Sequence, residues 1–207
     1  MKYIMIAFIF ASVSAFSQAF EGGILYMNSV KSKNKKITDA QYTQMFGSQI
    51  EYFIKQGNYK YLSNGTIAQC QLYNNKENKV YTKLANSETV YWNDAAVDSE
   101  VILKSEVKKH STVILKYLCD ELILTCKSGV RKYYYTPQFV VNPVLFANHK
   151  YGNVYEVYKT SKSIILKTII ETPDCVMETV ATQIKKKVLD NKVFYLPPTV
   201  KAVKSPF

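Results

Sequence analysis

Short stretches in which apolar and polar residues alternate recur from Gly23 to the end of the chain, and turn residues separate them. In residues 66–73, for example, Ala68, Cys70 and Leu72 fall on one face of an extended chain. Such alternation, with turn signals about every 8–12 residues, is typical of an antiparallel β meander. It predicts a mainly β fold with a minor α component, an antiparallel curved sheet or half-barrel of about 10–11 strands. One or two short helices are expected to pack on its concave face.

Individual segments follow from the same pattern. Residues 112–118, 154–160, 163–171 and 192–196 are among the predicted strands. Asn64-Gly65 predicts a two-residue hairpin turn. With the following threonine these residues also match a glycosylation sequon, but the turn explains them without further assumptions.

One helix has an unusually complete start signal. Thr38 and Gln41 form a capping box, and Ile37 and Tyr42 occupy the positions of a hydrophobic staple. Gly47 can end the helix. The apolar face comprises Tyr42, Met45 and Phe46. A second, shorter helix or an irregular lid is expected after Asn142-Pro143.

The N-terminus predicts export. A basic start at Lys2 precedes a run from Tyr3 to Phe16 that is almost wholly apolar, and small residues follow. This is the three-part pattern of a secretory signal peptide, with cleavage expected between Ala15 and Ala19. The run is shorter than the roughly 20 residues of a membrane-spanning helix. The predicted organisation is a signal peptide over residues 1–19, a single β-rich domain over residues 20–198 and a C-terminal tail over residues 199–207. The expected location is periplasmic or secreted, without a lipid anchor or a transmembrane span after cleavage.

The net charge of +11 has to be interpreted with this location in mind. The lysines of the protein are spread along the chain and are not interleaved with aromatic residues at a spacing typical of nucleic-acid binding. We therefore expect a solvated basic surface and no nucleic-acid partner. If an anionic partner exists, a phosphate-bearing membrane surface fits an exported protein better than DNA does.

An even number of cysteines in an exported protein predicts two disulfides among Cys70, Cys119, Cys126 and Cys175. Cys119 and Cys126 flank a predicted strand of about 23 Å, whereas a disulfide needs Cα atoms within about 7 Å. Each is therefore expected to pair with Cys70 or Cys175, and which pairs with which stays open. Reduced, buried cysteines are the alternative.

No catalytic or metal-binding motif stands out. His110 and His149, the two histidines, lack partners at metal-ligand spacing, and a nucleophile elbow and a phosphate-binding glycine loop are both missing from the sequence. The acidic residues are mostly single and lie at turns or among lysines. We expect no enzymatic activity, no metal and no cofactor, with a small hydrolase as the less favoured interpretation.

The tyrosine and aliphatic residues are the features of the sequence that indicate a binding site. Residues 133–135 and Tyr151, Tyr155 and Tyr158 supply more tyrosine than a core needs, because buried hydroxyls must find partners. Residues 163–170 are apolar on both faces, which predicts either a sandwich strand or one whose second face lines a cavity. The predicted ligand-binding residues are Tyr42, Met45, Phe46, Phe146, Ile165 and Ile169.

The segment from Thr112 to Pro143 resembles part of a group of small exported proteins of Gram-negative bacteria. It contains Tyr117-Leu118-Cys119, a turn at Ser128-Gly129, Tyr134-Tyr135-Thr136-Pro137 and Asn142-Pro143. Those uncharacterised families are similar in layout to the lipoprotein-carrier (LolA/LolB-like) fold, a curved antiparallel half-barrel closed by helices around a hydrophobic cavity. The glycine that relatives often place before this tyrosine is absent, and no arginine stands out as the carriers' ligand contact. The resemblance therefore implies the fold and transfers no functional residue.

These observations lead to one functional expectation and two alternatives. The chain is expected to be an exported, non-enzymatic binding protein that holds a lipid or another hydrophobic ligand in a half-barrel cavity. The first alternative is a structural or protein-interaction module of the cell envelope, with an envelope protein as its partner. The second is the small hydrolase.

Overall fold

The computed structural model describes residues 19–206, so the predicted signal peptide lies outside the described residues except for Ala19. Strands account for most of the regular structure. They are β1 (Gly22–Ser32), β2 (Gln49–Lys55), β3 (Asn58–Ser63), β4 (Ala68–Asn74), β5 (Lys79–Leu84), β6 (Val90–Asp94), β7 (Ile102–Ile114), β8 (Tyr117–Cys126), β9 (Gly129–Val140), β10 (Ser163–Glu171), β11 (Cys175–Lys186) and β12 (Ala202–Lys204).

All twelve strands within residues 19–206 belong to one open, curved sheet, in the order β12-β6-β5-β4-β3-β2-β1-β11-β10-β9-β8-β7. Neighbours are antiparallel except for β12, which pairs parallel to β6. The predicted fold class is confirmed. The strand number exceeds the expectation because the segment predicted as a tail contributes β12, and Ser205 N–H donates to the Trp92 carbonyl just beyond it.

The helix predicted from the capping box is α1 (Asp39–Phe46). The Gln41 N–H donates to Thr38 Oγ1 at 3.2 Å, and the Thr38 N–H donates to the Gln41 side chain at 2.8 Å. Gly47 closes the helix with φ of 86°, which glycine adopts at low cost. The helix packs against β1 and the start of β11 through Val30 and Cys175.

A second helix, α2 (Val154–Ser161), replaces the strand predicted over residues 154–160. The prediction was wrong because the alternation of Tyr155 and Val157 is incidental. The residues that the fold buries are Val157, Tyr158 and Ser161, which share a face at helical spacing. Left-handed residues bound α2, with φ of 63° at Asn153 and 49° at Lys162.

Two further corrections concern short elements. The strand predicted over residues 192–196 is instead a 3₁₀ turn, Asn191–Phe194, whose Phe194 side chain is buried. The strand predicted over residues 112–118 is interrupted, because Leu115 and Lys116 both have positive φ and form the turn between β7 and β8. Such a turn usually selects asparagine and glycine, so these two residues give no sequence signal for it.

Two other predictions were correct in position, the helix start at Asn142-Pro143 and the turn at Asn64-Gly65, although the turn is longer than predicted. Asn142-Pro143 begins the 3₁₀ helix Pro143–Phe146, and the Val144 N–H donates to the Asn142 side chain at 3.0 Å. Asn64-Gly65 does lie between β3 and β4, but the connection is four residues long. It is longer than predicted because Thr66 and Ile67 donate backbone hydrogen bonds to Gln44 and Met45 at the end of α1.

All four cysteines are free thiols, which corrects the expected disulfides. Cys119 and Cys126 both lie on β8, as their predicted strand requires. In the sheet, two strands separate β8 from β11, which begins with Cys175, and six separate β8 from β4, which carries Cys70. Since adjacent strands lie about 4.8 Å apart, strands this far apart hold their thiols well beyond bonding distance along the sheet.

None of the helices within residues 19–206 is long and apolar enough to cross a membrane.

Candidate functional site: a tyrosine-lined cavity

A cavity of about 320 Å³ lies between α2 and the sheet. Its walls come from β1 to β4 on one side, from β9 to β11 on the other, and from α2. Six of its residues are tyrosines, here called the tyrosine wall: Tyr26, Tyr52, Tyr59, Tyr61, Tyr133 and Tyr158. The other lining residues are Ile50, Gln71, Gly152, Val154, Val157, Ile165, Thr168, Ile170, Met177 and Thr179.

Strand registers explain why the tyrosines meet. In the β2–β3 hairpin Tyr52 lies opposite Tyr61, and Tyr26 on β1 lies opposite Ile50. Residues opposite one another in a sheet share a face, so these side chains point the same way. The turn at Gln56-Gly57 sets this register, because both residues adopt positive φ.

The rings of the tyrosine wall pack on one another. Tyr26 meets Tyr52 edge to face with ring centroids 6.4 Å apart, and Tyr52 stacks on Tyr59 at 5.6 Å. Behind them, Tyr73 stacks on Tyr59 at 5.5 Å and lies 4.1 Å from the ring of His149. Aromatic pairs at these separations add to the stabilisation from burial alone, so the wall is a rigid part of the core.

Protein groups satisfy the inward-facing hydroxyls. Tyr26 donates to the Ile165 carbonyl at 2.7 Å, the hydroxyls of Tyr52 and Tyr158 lie 3.0 Å apart, and Tyr59 contacts His149 Nε2 at 3.0 Å. With these polar atoms paired, the tyrosines present mainly ring surface to the cavity.

Burial keeps these groups neutral. Loss of water raises the pKa of Tyr26, Tyr52 and Tyr59 well above its usual value, and raises the pKa of Tyr158 to about 12. The same cause lowers the pKa of His149 to about 4. Among the described residues that line the cavity, none carries a charge at neutral pH.

Of the six predicted ligand-binding residues, the structure places only Ile165 in the cavity wall. Ile169 packs against the main core, and Phe146 is fully buried there between Tyr73 and Tyr158. The three helix residues, Tyr42, Met45 and Phe46, form a separate cluster under α1.

The sequence analysis did not predict that these six tyrosines line one cavity. Two of its members, Tyr133 and Tyr158, belong to the tyrosine-rich segments that the sequence drew attention to. Tyr52, Tyr59 and Tyr61 carried a usable signal, since period-two tyrosines flank a Gln-Gly turn. Only the order of strands in the sheet brings them to Tyr133 and Tyr158.

Within residues 19–206 no group of three or more histidine, cysteine or acidic side chains is arranged to hold a metal ion. Carboxylates, thiols and imidazoles are likewise missing from the described cavity lining. The buried carboxylate Glu121 lies elsewhere, accepting hydrogen bonds from Tyr134 at 2.8 Å and from Ser111 at 3.2 Å.

No family model and no curated protein matches the chain. Solved structures do resemble it. An uncharacterized conserved protein from Thermus thermophilus superposes with a TM-score of 0.46 at 6% identity, covering 89% of this chain and 91% of the other. LprF from Mycobacterium bovis superposes with a TM-score of 0.31 at 10% identity, covering 82% and 88%.

Proposed function

We propose that this chain is an exported, non-catalytic binding protein that holds one neutral apolar group, such as a single acyl chain, in the tyrosine-lined cavity. The observation that carries the proposal is the lining itself, which combines ring and aliphatic surface with no charged side chain among the described residues. Concave sites with apolar walls and few polar groups are the usual form of small-molecule sites.

The cavity's size limits the ligand. Small-molecule sites range from about 300 to 1,000 Å³, and this one lies at the lower end of that range at about 320 Å³. It fits one chain or one compact apolar molecule better than a lipid with several chains. A charged headgroup would stay outside, because burying it among uncharged groups costs far more than leaving it in water.

Neutral polar groups give the ligand a way to be oriented. Gln71 and Thr168 contribute to the wall on opposite sides of the cavity, and Thr179 donates to Asn28 at 3.0 Å. The Gln71 amide and the Thr168 hydroxyl can bond an ester or hydroxyl at the root of an acyl chain.

Cavity filling tests this proposal, and neighbouring residues on β10 supply the matched pair. Ile170 lines the cavity, whereas Ile169 packs against the main core. We expect Ile170→Phe to weaken binding of the fluorescent apolar probe N-phenyl-1-naphthylamine, and its displacement by dodecanoic acid, by about tenfold, or 1.4 kcal/mol. Ile169→Phe should change the probe's affinity little. Thermal melts of both variants check that each is folded.

Two results would contradict the proposal. One is a wild-type protein that takes up neither probe nor fatty acid, and that carries no lipid by mass spectrometry when purified from native cells. The other is an equal loss of affinity in both variants, because that would locate the probe outside the cavity.

The non-catalytic part has its own support and its own test. The described cavity lining offers no nucleophile with an adjacent base, which covalent catalysis needs. We expect no turnover of p-nitrophenyl esters of short and medium chains above the background rate. Hydrolysis that survives purification and is lost in Ile170→Phe would favour the hydrolase.

Export rests on the N-terminal sequence alone. We expect protein isolated from native cells to be found in the periplasm or medium, with an intact mass that fits cleavage between Ala15 and Ala19. A full-length mass in the cytoplasm would overturn export without affecting the binding proposal.

A further inference from the structure

We propose that β7 pairs antiparallel with β7 of a second copy of this chain, with the two-fold axis at Ser105. β7 is the last strand at one edge of the sheet and has 13 residues. Among the described residues, β8 is the only strand that pairs with it. The inference does not depend on what the cavity binds.

This edge is open and carries two large exposed apolar side chains among its charged residues. Residues 103–111 are all exposed, and Leu103 and Val107 leave 63% and 43% of their surface in water. A long exposed edge strand with apolar side chains is a template for pairing with another strand, and monomeric proteins normally shield it. The opposite edge of the sheet is β12, which has only three residues.

The charges on β7 select among its self-pairings. The strand is in regular register with β8 from Lys104 to Lys108. In a two-fold antiparallel pair that continues the sheet, opposite residues share a face, so an axis within this stretch falls on Ser105, Glu106 or Val107. An axis at Glu106 would oppose Glu106 with itself and Lys104 with Lys108, and like charges directly opposite one another are destabilising.

An axis at Ser105 gives complementary neighbours. Lys104 then lies opposite Glu106, and symmetry repeats this pair. Leu103 and Val107 flank these pairs, with Leu103 at the one-residue register shift between Ile102 and Lys104. The two charged side chains already form an ion pair of 3.0 Å within one copy, so both charges lie on the same face. The pairing therefore gains two charge pairs within the regular stretch and brings Leu103 and Val107 of both copies to the interface.

An axis at Val107 gives a less favourable set of residue pairs. It opposes Glu106 with Lys108 but sets Ser105 opposite Lys109 in the next pair. Lys109 lies in the irregular part of β7, where the register with β8 shifts by two residues between Lys108 and Thr112 and His110 has φ of 53°. This irregularity bends β7 away from a straight edge, so the hydrogen-bonded ladder between the two copies is expected to end near Lys108. A contact that uses the same patch on both copies closes as a dimer.

Cysteine cross-linking tests the axis directly. In an antiparallel ladder opposite Cα atoms lie about 4.5–5.5 Å apart, inside the range a disulfide accepts. We expect Ser105→Cys to form a disulfide dimer under mild oxidation. Ser111→Cys, on the same strand and also exposed, should stay at the level of the wild-type protein with its own four thiols. Failure of Ser105→Cys to cross-link, or preferential cross-linking of Val107→Cys, would overturn this pairing.

Charge exchange tests the contact without a new bond. Glu106→Lys alone opposes lysine with lysine in both pairs, and we expect the dimer measured by analytical ultracentrifugation to weaken by at least about tenfold. The double variant Lys104→Glu with Glu106→Lys restores opposite charges and should restore the dimer. A wild-type protein that stays monomeric at the concentrations used for NMR would refute the proposal, and so would equal affinities in the single and double variants.

Discussion

The hydroxyl of Tyr59 lies 3.0 Å from Nε2 of His149, and both groups are buried. Tyr59 presents its ring to the cavity, so His149 acts as the polar support behind the tyrosine wall. Nδ1 of His149 is the one buried side-chain nitrogen or oxygen of the described chain without a hydrogen-bond partner. Charging this ring would leave an N–H in an apolar surrounding, which is why burial depresses its pKa.

Acid should destabilise the fold through His149. Its pKa falls from the ordinary 6.5 to about 4 on folding, so below pH 6.5 the unfolded chain binds a proton that the folded chain does not. Stability therefore decreases as the pH falls, by about 2 kcal/mol between pH 7.5 and 5. Urea unfolding of the wild type and of His149→Phe at these two pH values measures the effect, and the variant should lack this part of the decrease.

The control for this experiment is His110→Phe, which replaces an exposed histidine. It should keep the wild-type pH dependence. His149→Phe will also lower the stability at neutral pH, because the buried Tyr59 hydroxyl loses its partner. An unchanged pH dependence in His149→Phe would show that the histidine is not held neutral.

Gly65 should tolerate no side chain, since the loop after β3 packs against the end of α1. A Cβ there would lie 2.6 Å from the Gly47 nitrogen and 2.7 Å from the Met45 carbonyl oxygen, which are backbone atoms. We expect Gly65→Ala to cost about 2 kcal/mol in the free energy of unfolding.

Gly152 separates this steric effect from conformational strain. It has φ of 64°, but a Cβ added there would meet no atom within 4 Å, so Gly152→Ala meets only the penalty for the left-handed region, about 1 kcal/mol. Denaturant unfolding of both variants gives the comparison. A smaller loss for Gly65→Ala than for Gly152→Ala would contradict the close packing of the loop on α1.

The capping box of α1 should contribute measurably to stability. Thr38→Ala removes the side chain that accepts the Gln41 N–H, and we expect a loss of about 1 kcal/mol in denaturant unfolding. Thr38→Ser keeps the hydroxyl and should behave almost as the wild type does. Equal losses in the two variants would assign the effect to the threonine methyl group and not to the cap.

Thiol chemistry should reveal no disulfide. We expect four titratable thiols in the denatured, unreduced protein, and the same melting temperature with and without reductant. In the folded protein Cys70, which is half-buried, should be alkylated before Cys119 and Cys126. Those two are buried, whereas Cys70 is partly exposed to the reagent. A thiol count of zero would restore the two predicted disulfides, and a count of two would restore one of them.

The sequence predicted correctly those elements that interactions between near neighbours in the chain determine. The strand over residues 163–171 was predicted with the bounds that the structure gives β10, because its run of β-branched and apolar residues is itself a local signal. The same holds for α1, whose cap lies within four residues of sequence. Predictions failed where no local residue carries the signal, as at the Leu115-Lys116 turn, or where an incidental alternation suggested a strand, as in α2.

The sequence by itself determined an antiparallel, mainly β chain with one capped helix, because period-two alternation and side-chain caps act between near neighbours. Only the tertiary structure decided which tyrosines share a cavity, since Tyr52 and Tyr158 are far apart in the chain and their hydroxyls lie 3.0 Å apart in the fold. It also decided that the four cysteines lie apart and that β7 is an edge. Each of these depends on the order of strands in the sheet, which follows from burying the whole apolar surface at once and not from any single segment.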